Sequence, residues 1–112
     1  MTKRRKRQRP EESYTLLIQA RAYPEIRRLP GHIRRQAQQA IEHLKTDPRP
    51  SNSRDLKQDI TSYEARRLRL GQWRILYVID EIWKEIAVVA IRQRPPYQYE
   101  DLEQLLSELD DN

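Results

Sequence analysis

Residues 63–70, 72–79 and 85–92 form three successive runs rich in Val, Ile, Tyr and Trp, side chains that suit a pleated, half-buried surface. Only Gly71-Gln72 separates the first two, which predicts a two-residue hairpin turn and fixes those strands as antiparallel. A substantial part of this 112-residue chain is therefore committed to a strand meander, and the rest must pack on or beside that sheet.

Upstream, Tyr14, Leu16 and Ile18 alternate with Thr15, Leu17 and Gln19, as in a strand with one firmly apolar face. Pro24 fits the first turn of a short helix holding Ile26 and Leu29, which Pro30-Gly31 ends. A second helix follows, in which Ile33, Ala37, Ala40, Ile41 and Leu44 make one amphipathic stripe. Residues 47–53, with Pro48 and Pro50, read as an extended loop. Pro95-Pro96 stops the last strand, and Leu102, Leu105, Leu106 and Leu109 mark a C-terminal amphipathic helix beginning near Glu100. The order β-α-α-β-β-β-α predicts an α+β sandwich, with helices on one face of a mostly antiparallel four-stranded sheet. Residues 1–12 have no apolar periodicity and read as a disordered basic arm, leaving residues 13–112 as a single domain.

Charge narrows the function. Residues 1–9 hold six Lys or Arg and residues 100–112 hold six carboxylates, so the ends cancel. The excess of five positive charges belongs to residues 10–99, an electrostatic balance suited to an anionic partner. With no cysteine, disulfides, thiolate metal sites and thiol nucleophiles are excluded, and a reducing cytoplasm fits. The basic start runs into Pro10-Glu11-Glu12 rather than an apolar stretch, which reads against a signal peptide, and no stretch approaches membrane-spanning length. His32 and His43 are separated by roughly 17 Å of helix rise and cannot share a phosphate or a metal. The carboxylates lack the clustered spacing of a metal site. Gly31 and Gly71, the sole glycines, make no phosphate loop. No cofactor and no metal are expected.

The hairpin register places Leu70 opposite Trp73 and Arg69 opposite Arg74. Two like charges facing each other imply an acidic neighbour, a bound anion, or two side chains splayed into water. Arg67 shares a strand face with Arg69 by the period of two, and Arg92 and Arg94 end the next strand. Lys57, in Asp55-Leu56-Lys57-Gln58, is placed to lean over that face or to be a solvated lysine. Tyr97 and Tyr99 have the chemistry to stack on a base or exchange a proton, and equally to cap the core.

The stretch Leu68-Arg69-Leu70-Gly71-Gln72-Trp73-Arg74-Ile75-Leu76-Tyr77-Val78-Ile79-Asp80 resembles the central hairpin of RelE/ParE-type toxins: Arg-Leu-Arg, Gly, an aromatic, Arg, two aliphatics and Tyr. Leu56-Lys57 is similar to the family's Leu-Lys element, and Ala90-Ile91-Arg92-Gln93-Arg94 with the following tyrosines to its closing basic motif. The likeness spans about residues 13–109. It implies a toxin of a type II toxin-antitoxin system, held by a cognate antitoxin, that enters the ribosome and cuts messenger RNA as a metal-independent endoribonuclease. By position it implies that Lys57, Arg69, Arg94 and Tyr97 or Tyr99 are catalytic, with Arg67, Arg74 and Arg92 binding RNA. Pro95-Pro96 departs from the usual polar spacer and leaves the tyrosine register open. The ParE branch poisons DNA gyrase on the same scaffold, and a cationic face also suits an RNA- or ribosome-binding module that does not cut.

Overall fold

The computed structural model describes residues 13–57 and 63–93. The basic arm (residues 1–12), the C-terminal helix expected after Pro96, and Arg94, Tyr97 and Tyr99 lie outside the described residues. Element order is β1 (Thr15–Ile18), α1 (Ala22–Arg27), α2 (Gly31–His43), β2 (Ser53–Asp55), β3 (Glu64–Leu70), β4 (Trp73–Asp80) and β5 (Glu85–Gln93). This is the expected α+β order with one addition: the sheet has five strands rather than four, because Ser53–Asp55 leaves the expected loop and pairs antiparallel with β3. Three residues are too few for a period to show in sequence; tertiary hydrogen bonds define this strand. Ser53 Oγ donates to the Pro50 carbonyl at 2.7 Å and accepts from Arg66 Nε at 3.0 Å and Nη2 at 2.8 Å.

The strands lie in the order β1-β5-β4-β3-β2. All neighbours are antiparallel except β1 and β5, which run parallel with Thr15 opposite Glu85 and Ile18 opposite Val88. Central β4 and β5 are buried on both faces from Arg74 to Ile79 and from Ile86 to Ile91, consistent with their near-continuous apolar runs. A register shift between Leu76 and Tyr77 takes the pairing from Ala90 to Val88, leaving Val89 as the extra residue of a bulge.

Helix α2 lays its predicted stripe on one sheet face. Ala37, Ile41 and Leu44 are buried there with Leu68, Ile75, Tyr77, Ile79, Ile86, Val88 and Ile91, and Ile33 and Ala40 pack against them. The opposite face gathers Ala65, Leu76, Val78, Ala87, Val89 and Ala90, with Leu56 and Tyr63 alongside. No described helix is long and apolar enough to cross a membrane.

Helix α1 is docked by a specific polar contact. Beyond Ile18, β1 no longer covers the β5 edge, and Glu25 takes over: its carboxylate accepts the Ile91 backbone N–H at 2.8 Å and Arg92 Nε at 3.3 Å. Removing it strands a half-buried backbone donor. We expect Glu25→Ala to lower unfolding free energy by about 1–3 kcal/mol, read as a reduced denaturation midpoint at unchanged m-value.

The hairpin turn forms as predicted, with Leu70 opposite Trp73 and Gly71 at φ +59°, the sign required at the first central position of a type II′ turn. A Cβ at Gly71 would meet nothing within 4 Å, so the penalty of Gly71→Ala is conformational. A loss of about 1–3 kcal/mol is expected in the same denaturation measurement.

Candidate nucleic-acid interface

Strand alternation sorts the arginines of β3. Arg66 shares a face with Leu68 and turns to Glu64, with Nη1 2.8 Å from Oε2. Arg67 and Arg69 share the face of Ala65, away from α2, and so does Arg74, which alternates with Ile75. The register puts Arg69 opposite Arg74, as expected, and also places Arg74 opposite Arg92 and Arg54 opposite Arg67. Arg54, Arg67, Arg69 and Arg74 therefore converge beside the hairpin, and with Ser51, Asn52 and Ser53 they line a polar cleft of about 600 Å³. Among the described residues, no carboxylate lines it.

Several other described cations are ion-paired. Lys45 is held by Glu42 at 2.6 Å, Arg49 by Glu64 and Glu81 at 2.7 Å each, Lys84 by Glu81 at 2.7 Å and Arg92 by Glu25 at 3.3 Å. Acidic partners are placed on the α2 side and at the β4-β5 turn, and none of these carboxylates is among the described residues that line the cleft. Concentrated positive charge with donors in a polar recess is suited to phosphate oxygens, which arginine contacts through two parallel N–H bonds.

Two cleft side chains differ in kind. Arg74 is 5% exposed, and its Nη1 donates to the Gly71 carbonyl at 2.8 Å and the Trp73 carbonyl at 2.9 Å, so the guanidinium braces the turn while adding charge to the cleft floor. Of the three sequence-based alternatives for the Arg69-Arg74 pair, two side chains splayed into water does not describe Arg74. Arg69 is exposed, but its backbone is clamped on both polar groups: its N–H donates to the Asn52 carbonyl and its own carbonyl accepts Asn52 Nδ2, each at 2.9 Å.

Sequence reasoning missed Arg54. With residues 47–53 taken as loop, nothing indicated a strand that would align it with Arg67. The available signal was its spacing of two from Leu56, which packs on the cluster beneath the cleft.

Other expected members sit apart. Arg92 is drawn to Glu25 on α1 and does not line the cleft. Lys57 follows β2 past the point where the Leu56 N–H meets the Ala65 carbonyl, four residues along β3 from Arg69, or roughly 13 Å of strand rise. Its backbone has φ +56°, and its N–H donates to Asp55 Oδ1 at 2.6 Å. That kink aims the chain after β2. Among the described residues, no three His, Asp or Glu side chains gather as a metal site would require.

A second polar network fixes the loop that carries Asn52. Arg49 bridges Glu64 and Glu81, Tyr14 Oη donates to Glu81 at 3.0 Å, and Tyr77 Oη donates to the Pro48 carbonyl at 2.7 Å. Burial pushes the Tyr77 phenol above its ordinary value. Hydrogen bonds from Arg49 first, and then Arg66, hold Glu64 below the usual carboxylate range. Lys84 first, and then Arg49, bring Glu81 down to about 2.

Both carboxyls have folded pKa values below their unfolded ones. Their stabilisation is thus complete above the ordinary value of 4.5 and lost as pH falls below it, for Glu81 toward about 2. Solvent screening makes the Glu81 share small, since its side chain is 44% exposed. Thermal melts between about pH 6 and about pH 2.5 should show a falling Tm, and Glu64→Gln should flatten that fall.

No protein-family model matches the chain. It is 29% identical over 76 residues to a curated Methanocaldococcus jannaschii protein that bears the name RelE1, a match covering 68% of this chain and 82% of that protein. Among solved structures, RelE of the Pyrococcus horikoshii RelE-RelB complex superposes with a TM-score of 0.68 at 21% identity, covering 76% of this chain and 99% of that one. A chain of the Mycobacterium tuberculosis RelBE2 toxin-antitoxin complex gives 0.62 at 20% identity, with 73% and 99% covered. The isolated Escherichia coli RelE toxin gives 0.62 at 16%, with 87% and 99% covered. Each superposition takes in nearly the whole of the other chain, so the likeness is to a complete fold and not to a shared hairpin. The chain thus has the fold of these RelE chains, and its sequence is similar to that of the RelE1 protein.

Proposed function

We propose that this chain is the toxin of a type II toxin-antitoxin pair and that it cuts messenger RNA at the ribosome. The observation that carries the reading is the cleft beside the β3-β4 hairpin, on which four arginines converge. An anion suits that recess, and the relatives all carry the RelE or RelBE name, which favours RNA over gyrase as the target. Work at the ribosome implies a cytoplasmic protein.

The chemistry assigned to the cleft is attack of a ribose 2′-OH on the adjacent phosphorus. The O2′–P bond forms as the P–O5′ bond breaks, and negative charge grows on the phosphoryl oxygens. Arg69, with its backbone clamped by Asn52, and Arg74, braced on the turn, supply preorganised positive charge where that charge develops. The proton must leave O2′ and another must reach O5′. Lys57, Tyr97 and Tyr99 remain the candidate proton carriers inherited from the family resemblance, and Arg94 a further stabiliser of the growing charge; a lysine or tyrosine carries protons once neighbouring arginines depress its pKa. Single variants of Lys57, Tyr97 and Tyr99 assign the role, because only loss of the proton carrier shifts the pH-rate profile.

The Pyrococcus and Mycobacterium relatives were solved as toxin-antitoxin complexes. We extend that partnership here: an acidic, partly disordered antitoxin would cover the cationic face and stabilise a thin core by mass action. The test offers purified protein to messenger RNA on programmed ribosomes and, separately, to gyrase with supercoiled DNA. Cut message supports the reading. Trapped gyrase-DNA complexes without cut message would replace it with the ParE activity, and binding without either would leave a non-cutting RNA module.

A further inference from the structure

We infer that the β4-β5 turn, through Trp83 and the recess beside it, docks a lysine- or arginine-rich protein segment of the ribosome. The inference rests on the reading that the chain works at the ribosome, and it gives the far end of the sheet a positioning contact separate from the cleft. Asp80, where β4 ends, is six residues and roughly 20 Å of strand rise from Arg74. Two large apolar side chains stand in solvent there: Ile82 is 87% exposed and Trp83 74%. The other tryptophan, Trp73, packs against the core that α2 covers. Asp80 Oδ1 accepts the backbone N–H groups of Ile82 at 3.0 Å and of Trp83 at 3.1 Å, so the turn is fixed in advance and binding has little left to order. Trp83 also walls a recess of about 360 Å³, together with exposed Leu17 and with Val78 and Ala87 of the sheet face opposite α2. Protein interfaces concentrate their affinity on rigid aromatic anchors of this kind.

Charge selects the occupant. Asp80 and Glu85 are direct cross-strand partners, and both line the recess. Lys84, the cation of the turn, is drawn to the other side: its Nζ lies 2.7 Å from Glu81 and 5.3 Å over the ring of Tyr14, which packs with the α2-side core. Two carboxylates repel the phosphates of a nucleic acid. A second copy of this chain, docked recess to recess, would crowd both carboxylate pairs together. A basic polypeptide segment suits the surface, with an aliphatic side chain against Trp83 and Leu17 and its cations meeting Asp80 and Glu85. Proteins that sit on ribosomal RNA carry such segments, since lysine and arginine neutralise its phosphates.

The test replaces Ile82 of the full-length chain with the photoreactive p-benzoylphenylalanine and irradiates it on purified ribosomes programmed with message. The adduct should survive ribonuclease, be lost to protease, and map to a protein segment rich in Lys and Arg. Trp83→Ala should weaken ribosome binding about thirtyfold while leaving affinity for a free oligoribonucleotide unchanged. Its Tm should hold, because the side chain is exposed. Trp83→Phe should recover part of the binding, and Glu85→Gln should flatten its salt dependence. An adduct to ribosomal RNA, to a second copy of this chain or to a segment without basic residues overturns the docking surface. So does the lack of any adduct, or ribosome binding that Trp83→Ala leaves unchanged. If wild type cuts message while one of those results appears, the docking fails and the proposed function stands. If the adduct maps to a basic protein segment while no message is cut, the docking stands and the nuclease reading fails.

Discussion

Arg69→Ala is expected to reduce messenger RNA cleavage on programmed ribosomes by about 10² to 10³, equivalent to about 2.7–4 kcal/mol of lost transition-state stabilisation. Three features converge on this residue: strand parity puts it on the cleft face, Asn52 fixes its backbone at both polar groups, and three further arginines line the cleft it enters. Folding should not suffer. Arg69 is exposed and faces Arg74, so truncation relieves a like-charge pair and Tm should hold or rise. The variant should still be captured by its antitoxin. A folded Arg69→Ala protein that cuts message at the wild-type rate would sink the proposed site.

Arg74 makes an informative contrast. Its guanidinium is buried and bonded to the Gly71 and Trp73 carbonyls, so Arg74→Ala removes a turn brace as well as a charge. Activity lost in that variant mixes the two effects. Arg69 separates them.

The largest stability effect is expected from Ile75→Ala, at about 2–5 kcal/mol. Ile75 is 0% exposed, sits on central β4 between Leu68 of β3 and Ile91 of β5, and belongs to the cluster that α2 covers. A two-layer fold with 37% hydrophobic residues has little further core to absorb such a cavity, and domains of this size are stable by only about 5–15 kcal/mol in total. Chemical denaturation should show a large fall in midpoint, and a ligand-like antitoxin should restore part of it by binding the native state alone. A change below about 1 kcal/mol would mean that β4 and α2 slide together to fill the space, and that this core is looser than its burial indicates.

The local elements were legible because each rests on a pattern that sequence displays directly. Apolar residues at helical spacing marked α2, alternating β-formers marked β1 and β3, and Gly71 marked the hairpin, whose register then followed by counting. Counting alone set Arg69 opposite Arg74, because a two-residue turn leaves the strand pairing no other alignment. The family resemblance was legible for the same reason, since the hairpin is one contiguous stretch.

What the sequence did not reveal depends on groups distant along the chain. Ser53–Asp55 is a strand because Arg66 and the Pro50 carbonyl hold Ser53, thirteen and three residues away respectively. Once β2 exists, Arg54 joins the cleft. Arg92 leaves it because Glu25, 67 residues earlier, reaches the end of β5. Arg74 is a brace rather than a free hand because the turn carbonyls point back at it. By itself the sequence determined which segments form helix and strand and which face of β3 carries Arg67 and Arg69, since those follow from short-range periodicity. Tertiary structure alone decided which cations are held by Glu25, Glu42, Glu64 and Glu81 and which gather in the cleft, because ion pairing depends on distance in space and chain separation does not encode it.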